Sequence, residues 1–315
     1  MDNFALWYRR FGEPESVLQV ENTPAGNLMP DNVRVRMLFS PVNASDLIPI
    51  TGAYRHRTPL PAVAGYEGVG MVVQTAPEQA HLMGQRVLPL RGQGTWQTLV
   101  DCPANYAVPV PDDIDSHLAA RGYINPLAAQ MMLTLYPPQG KRVLLTAAGS
   151  DCAILLGQWA RQAGAVEVYG IHRSPVHAGR LQAMGIVPIA QNDTARISAI
   201  AAHADVVYDA TGGALAEAIM KLMPEAGRFV CYGLLSGQTF RQRQALPRVE
   251  WFHLRHCLGA LDVEGWQETF RQIWPRLRAS QYSDVSLYPV AHWRDALQRY
   301  RQAGRLSKPL LKMGA

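Results

Sequence analysis

Apolar and polar positions alternate with a period of two through the first third of the chain. Val33-Arg34-Val35-Arg36-Met37 sends its apolar side chains to one face, as a half-buried strand does. Gly68-Val69-Gly70-Met71-Val72-Val73 and Gln85-Arg86-Val87-Leu88-Pro89-Leu90 repeat the signal between turn residues. Short strands punctuated by Pro and Gly predict a compact, antiparallel, barrel-like β domain.

Near residue 116 the pattern changes. Ser116 is placed to cap a helix running from His117 toward Leu135, softly broken at Asn125-Pro126. Then come the buried strand Arg142-Val143-Leu144-Leu145-Thr146, a run of small residues, and a helical stretch over residues 154–163. A strand over 166–171, a helix around 178–184, a strand over 206–208, a helix around 215–222 and a strand over 228–232 follow. Strands alternating with helices at this spacing predict a parallel, doubly wound sheet, so the fold class is α/β. Residues 291–303 form an amphipathic helix and 308–313 a terminal strand. No repeat or low-complexity segment interrupts the pattern.

Length and composition fit this reading. A chain of 315 residues holds about two domains at roughly 150 residues each. With 48% hydrophobic and 17% charged residues it has ample material for a core, which excludes overall disorder. The net charge of +5 comes from scattered arginines. A solvated surface is the plain account of it, and attraction of phosphate-bearing small ligands the sharper one. No basic patch is interleaved with aromatics, so no nucleic-acid partner is expected. Cys102, Cys152, Cys231 and Cys257 are widely spread, with no metal-ligand spacing, and read as reduced thiols. No apolar run reaches membrane-spanning length, and Asp2 leads into strand-like sequence without a leader. A cytoplasmic protein with no membrane partner is the expectation.

The small residues Ala147-Ala148-Gly149-Ser150-Asp151-Cys152-Ala153 lie between a predicted strand and a predicted helix. A dinucleotide pyrophosphate needs such a turn, because the backbone must approach closely and the helix N-terminus must face the phosphates. Ala148, Ser150 and Ala153 occupy the three glycine slots of the usual fingerprint. Alone the turn also suits plain helix–strand packing; the strand–turn–helix–strand context favours the cofactor. About twenty residues on, NAD would call for a carboxylate to bind the ribose 2′-hydroxyl. The strand ends instead in His172-Arg173-Ser174, which suits a 2′-phosphate, so the expected cofactor is NADPH.

Two turns in the first third are rich in hydrogen-bonding groups: residues 40–46, and Ile50-Thr51-Gly52-Ala53-Tyr54. With Pro61-Ala62-Val63-Ala64-Gly65-Tyr66-Glu67-Gly68-Val69-Gly70 they resemble the first-domain signatures of medium-chain dehydrogenases and reductases. Zinc alcohol dehydrogenases place a Cys near Asn43 and a His at the Tyr66 position; this chain has neither, and it lacks their four-cysteine lobe. The resemblance therefore implies no metal. It is nearest to the zinc-free trans-2-enoyl-thioester reductases of the mitochondrial type and to quinone oxidoreductase-like proteins, through Gly52-Ala53-Tyr54, Gly94-Thr95-Trp96-Gln97-Thr98, residues 108–114, Asn125-Pro126, Tyr232-Gly233 and Ser307-Lys308.

What the resemblance implies is specific. A GroES-like β-barrel catalytic domain spans residues 1–117 and 283–315, and a Rossmann NADP-binding domain spans 118–282. Tyr54 is the proton donor or enolate stabiliser, although a turn tyrosine is otherwise a routine half-buried aromatic. Asn125, Gly149, Ser150, Asp151 and Cys152 contact the cofactor, and His172, Arg173 and Ser174 hold its 2′-phosphate. Tyr232, Gly233, Leu234, Leu235, Cys257, Leu258, Gly259 and Lys308 complete the cofactor shell, with Asn43 near the nicotinamide. Trp96 lines an acyl pocket or sits in the core. Residues 256–262 resemble the sheet-edge strand through which such proteins form homodimers.

The implied reaction is reduction of an activated C=C bond in a small-molecule acyl thioester, an activity of fatty acid metabolism. An enone or quinone substrate is the alternative, and a non-catalytic NADPH sensor another. The family usually has Asn-Ser-x-Val-Gly in the phosphate turn. Asp151 departs from it, and a carboxylate there repels a pyrophosphate unless it turns outward as a helix-start residue.

Overall fold

A computed structural model of the chain describes residues 2–242, 247–259 and 261–314. They group into two compact units: Met1–Ile124, Leu261–Arg278 and Ser283–Ala315 in the first, Asn125–Ala260 and Ala279–Tyr282 in the second.

The first unit opens with β1 (Asp2–Tyr8), a short helix α1 (Pro14–Val17) and β2 (Leu18–Pro24), which pairs back on β1. The long strand β3 (Asn32–Pro41) leads into α2 (Ala44–Leu47), β4 (Ala62–Val63), β5 (Val69–Gln74), β6 (Arg86–Pro89), β7 (Leu99–Pro103) and β8 (Ala107–Pro109). β3 is antiparallel to both β5 and β7, and Val35 lies opposite Val72 on one side and Val100 on the other. Val33, Val35 and Met37 are buried, as the period-two pattern requires. Arg34, on the opposite face, is buried too, because Asp101 holds its guanidinium through two bonds of 2.7 and 2.8 Å.

Next come α3 (Ser116–Ala119) and α4 (Ile124–Leu135). The single expected helix from 117 to 135 is thus two, interrupted over residues 120–123, ahead of Asn125-Pro126. The cap is Asp115 and not Ser116: its carboxylate accepts from the amides of His117 and Leu118.

The second unit winds through β9 (Arg142–Leu145), α5 (Asp151–Gln162), β10 (Glu167–His172), α6 (Ala178–Ala183), β11 (Val187–Ala190), α7 (Thr194–Ala201), β12 (Val206–Asp209), α8 (Gly213–Leu222), β13 (Arg228–Cys231), β14 (Arg248–Trp251) and α9 (Leu254–Leu258). Every neighbouring pair is parallel, and the order across the sheet is β11-β10-β9-β12-β13-β14. Counted from the unit's first strand this is 3-2-1-4-5-6, the Rossmann order. Val143, Leu144 and Leu145 are completely buried, as expected of a strand covered on both faces.

The chain then returns to the first unit through α10 (Val263–Arg278), β15 (Asp284–Pro289), α11 (Trp293–Arg301) and β16 (Ser307–Lys312). β16 lies antiparallel to β3 and parallel to β15. Residues 118–124 and 261–278, assigned from sequence to the nucleotide domain, belong here. The buried face of α10 explains it: Trp266 meets Tyr106 edge-on at 5.8 Å and Tyr123 at 6.0 Å, and Phe270 meets Tyr123 at 6.3 Å.

The expected edge strand over 256–262 is also absent. Residues 254–258 are helical, Ala260 lies outside the described residues, and the strand at that edge of the sheet is β14. Among the described residues no helix is long and apolar enough to cross a membrane.

Candidate functional site

In the second unit the strand order reverses between β9 and β12. A doubly wound sheet opens a crevice there, outside the carboxyl ends of its strands. Two buried polar side chains close the floor of this switch point. The Thr146 hydroxyl, just past β9, donates to Asp209 at the end of β12 across 2.6 Å. Asp209 also accepts from the amides of Thr211 and Gly212 at 3.1 and 2.9 Å, and the Ala210 amide donates to Thr146 Oγ1. Burial pushes the Asp209 carboxyl up, and these donors oppose the rise. Sequence reading missed both residues; the only signal was a polar residue ending each of two apolar runs.

The turn above this floor is shaped for a close approach. Ala147 adopts a left-handed φ of 46°, and the Ala148 amide donates to the Ile171 carbonyl. Ser150 caps α5, its hydroxyl oxygen accepting from the Ala153 amide at 3.4 Å. A Cβ on Gly149 would come within 2.7 Å of the His177 ring, so only glycine keeps His177 against the turn. The Cys152 thiol contacts the Asn125 carbonyl at 3.9 Å, which brings Asn125 beside Gly149, Ser150 and Asp151. Asp151 lies half-buried in the first turn of α5.

His172, Arg173 and Ser174 follow at the end of β10. His172 is buried with no partner for its Nδ1 among the described residues, Arg173 is exposed, and no carboxylate occurs in this turn. Arg180 of α6, a few residues further along, buries one guanidinium nitrogen. Beyond β13, the Tyr232 hydroxyl is buried beside Ser150 and Cys152, and burial holds its pKa well above the usual phenol value. Gly233, Leu234 and Leu235 continue this loop, with the Leu235 amide on the Ala210 carbonyl.

Asn125, residues 149–152, 172–174 and 232–235 therefore share one edge of the sheet. Cys257, Leu258 and Gly259 sit on α9 and its cap, which follow shortly after β14. The carboxyl end of β14 leads into Phe252 and His253, and the Phe252 amide donates to the Cys231 carbonyl.

In the first unit, Lys308 and Asn43 come together across 265 positions of sequence: Lys308 Nζ donates to Asn43 Oδ1 at 2.5 Å. Asn43 Nδ2 in turn donates to Glu67 at 2.6 Å, and Glu67 accepts from the amides of Ile124 and Tyr123. Asp46 accepts from the amides of Asn43 and Tyr66. Asn43, Asp46, Glu67 and Lys308 are all at most 5% exposed. Burial, then repulsion from Glu67, pushes the Asp46 pKa up to about 7, and burial raises Glu67 as well; the Lys308 charge lowers both. Lys308 is thus held within the first unit by Asn43. Among the described residues no three His, Cys, Asp or Glu side chains gather as metal ligands.

Trp96 is fully buried, its indole N–H on the Pro41 carbonyl at 3.2 Å, so it is a core residue and lines no open pocket. It also dictates Gly65. There φ is 92°, and a Cβ would fall 2.4 Å from Trp96 Cδ1 and 2.6 Å from Thr95 Oγ1. Gly65→Ala is expected to cost about 3 kcal/mol or more through strain and overpacking. Urea denaturation measures it, and a loss under about 1 kcal/mol would mean that the turn simply gives way.

Tyr54 stands half-buried on a turn closed by Arg55 N to Gly52 O, and by Arg57 N and Thr58 N to Tyr54 O. Its hydroxyl makes no hydrogen bond among the described residues, and the Arg57 guanidinium carbon lies 3.9 Å from its ring centroid.

Residues 29–112 match the family model of the alcohol dehydrogenase GroES-like domain, and residues 153–278 match that of the zinc-binding dehydrogenase. The mitochondrial enoyl-[acyl-carrier-protein] reductase of Arabidopsis thaliana is 29% identical over 245 residues, 74% of this chain and 65% of that protein, so less than two thirds of the relative is spanned. A Bacillus thuringiensis protein described as a putative NADPH:quinone reductase superposes with a TM-score of 0.92 at 34% identity, over 100% of both chains. The complex of Etr1p with NADP and crotonyl-CoA superposes with a TM-score of 0.83 over 99% of this chain and 100% of that one; at 21% identity the likeness is one of fold.

Proposed function

The chain belongs to the medium-chain dehydrogenase/reductase superfamily, and from that premise we propose that it is an NADPH-dependent reductase of activated C=C bonds acting on a trans-2-enoyl thioester. The observation that carries this reading is Tyr54, a half-buried phenol on a hydrogen-bonded turn whose hydroxyl is left for a ligand.

The second unit's residues fit the cofactor. The α5 amino terminus and the Gly149 turn suit a pyrophosphate, while the unpaired Nδ1 of buried His172, with Arg173 and Ser174, offers donors to a 2′-phosphate. Bound there, NADPH supplies a hydride. Tyr54 donates its O–H toward the thioester oxygen as negative charge gathers on it, and its proton passes to Cα and is replaced from water. One hydride at Cβ and one proton at Cα complete the reduction. Asn43, fixed between Lys308 and Glu67, is the polar group we place nearest the nicotinamide.

The full-length likeness to the Bacillus thuringiensis protein favours a second reading, a quinone or enone reductase. Steady-state NADPH oxidation with crotonyl-CoA against a small quinone separates the two, with crotonyl-CoA expected to give a kcat/KM at least about tenfold higher (1.4 kcal/mol). The opposite ranking selects the quinone reading. Tight NADPH binding without turnover of any activated alkene, aldehyde or quinone selects a non-catalytic sensor, with Asp151 the first residue to suspect. No NADPH binding overturns all three. A cytoplasmic homodimer paired along the free edge of β14, serving fatty acid metabolism, belongs to the same proposal.

A further inference from the structure

We propose that Arg57 is a positioning residue for Tyr54, its guanidinium held on the face of the phenol to strengthen the O–H as donor to the developing enolate. The inference rests on the Tyr54-assisted reading above and goes beyond it, because it assigns a role to a charge outside the atoms that react.

Three observations support it. The contact is built by the backbone: the Arg57 amide donates to the Tyr54 carbonyl at 3.0 Å and the Thr58 amide to the same oxygen at 3.1 Å. This tight turn stands the residue three positions on over the ring, at 3.9 Å from its centroid. The charge is uncompensated as well. Some arginines of the first unit are matched to carboxylates, among them Arg9 to Glu21, Arg34 to Asp101, Arg278 to Asp113 and Arg301 to Glu15, whereas others, such as Arg91 over the Tyr106 ring, are not. Arg57 is in no ion pair among the described residues. Finally, the neighbouring arginine points elsewhere. Arg55 turns back, with its Nε on the Gly52 carbonyl at 3.3 Å and its guanidinium toward Phe11.

The physics follows from that placement. A cation over an aromatic face draws electron density from the ring and its oxygen, which makes the O–H a better donor. It also sits about 7 Å from any oxygen hydrogen-bonded to that phenol, close enough for direct attraction when negative charge appears there. The attraction is absent in the ground state, where the thioester oxygen is neutral, so it acts on turnover more than on binding. Because Arg57 is exposed, water screens part of the effect, and about tenfold in kcat is the expected size.

The test is a double-mutant cycle measured with crotonyl-CoA and NADPH. Arg57→Leu is expected to lower kcat about tenfold with KM within about twofold, and Arg57→Lys to recover most of the loss. In a Tyr54→Phe background, Arg57→Leu is expected to lower kcat by clearly less than in the wild type, because the part that acts through the phenol O–H is already gone. An equal loss in both backgrounds, a rise confined to KM, or no change in kcat overturns the role assigned to Arg57 while leaving Tyr54 standing. Unchanged turnover in Tyr54→Phe alone overturns the Tyr54 reading and this inference with it.

Discussion

Tyr54→Phe is expected to lower kcat for crotonyl-CoA by about 100-fold or more, with KM altered only a few-fold. The substitution removes one oxygen atom and keeps the ring, so the turn from Gly52 to Thr58, built on backbone bonds, and the Arg57 stack both survive. What is lost matters only once hydride has reached Cβ. Charge then collects on the thioester oxygen, and a single missing oxyanion donor costs about 10²–10³ in turnover. NADPH affinity, read by fluorescence titration, should stay the same, because the residues proposed to hold the cofactor's phosphates lie in the second unit and the Tyr54 hydroxyl is not among them. A fall in turnover smaller than about threefold would remove Tyr54 from the mechanism.

Lys308→Met is expected to destabilise the first unit by about 3 kcal/mol at pH 8 and by clearly less at pH 5. Asp46 and Glu67 titrate higher in the folded protein than in the unfolded chain. Between the unfolded values near 4 and the Asp46 value of about 7, the unfolded chain therefore releases protons first, and stability falls as pH rises through that window. Lys308 opposes this by lowering both carboxyl groups. Without its ammonium the folded pKa values climb further, the window extends upward, and the loss grows with pH. Methionine keeps the apolar stem but offers nothing to Asn43 Oδ1, which now receives the Lys308 Nζ bond. Urea denaturation at the two pH values measures the difference; equal losses at both would show that the charge is immaterial and that only packing was disturbed.

Part of this site was legible in the chain. The turn at 147–153 announces itself because a pyrophosphate demands small residues, and small residues are visible one by one. The missing acid after β10 is equally local. By contrast Thr146 and Asp209 look like ordinary strand ends; their importance comes from β9 and β12 being neighbours although β10 and β11 intervene in sequence. Trp96 was open between pocket and core, because aromatic character serves either place, and only its complete burial decided it. The sheet-edge strand expected at 256–262 proved helical over 256–258 for a related reason. An apolar run bounded by turns suits an edge strand or a short helix alike, and the extended backbone with its parallel partner lies earlier, at 248–251.

By itself the sequence determined the periodicities, and through them the β-rich first unit, the α/β second unit and the small-residue turn. Each depends on sterics and burial repeating within a few residues, which the order of side chains already encodes. The tertiary structure decided the strand order that gathers Asn125 and residues 149–152, 172–174 and 232–235 at one sheet edge. It also decided the return of α10 to the first unit and the buried meeting of Lys308 with Asn43 and Glu67. Those depend on which distant surfaces exclude water from one another, and no local pattern records that choice.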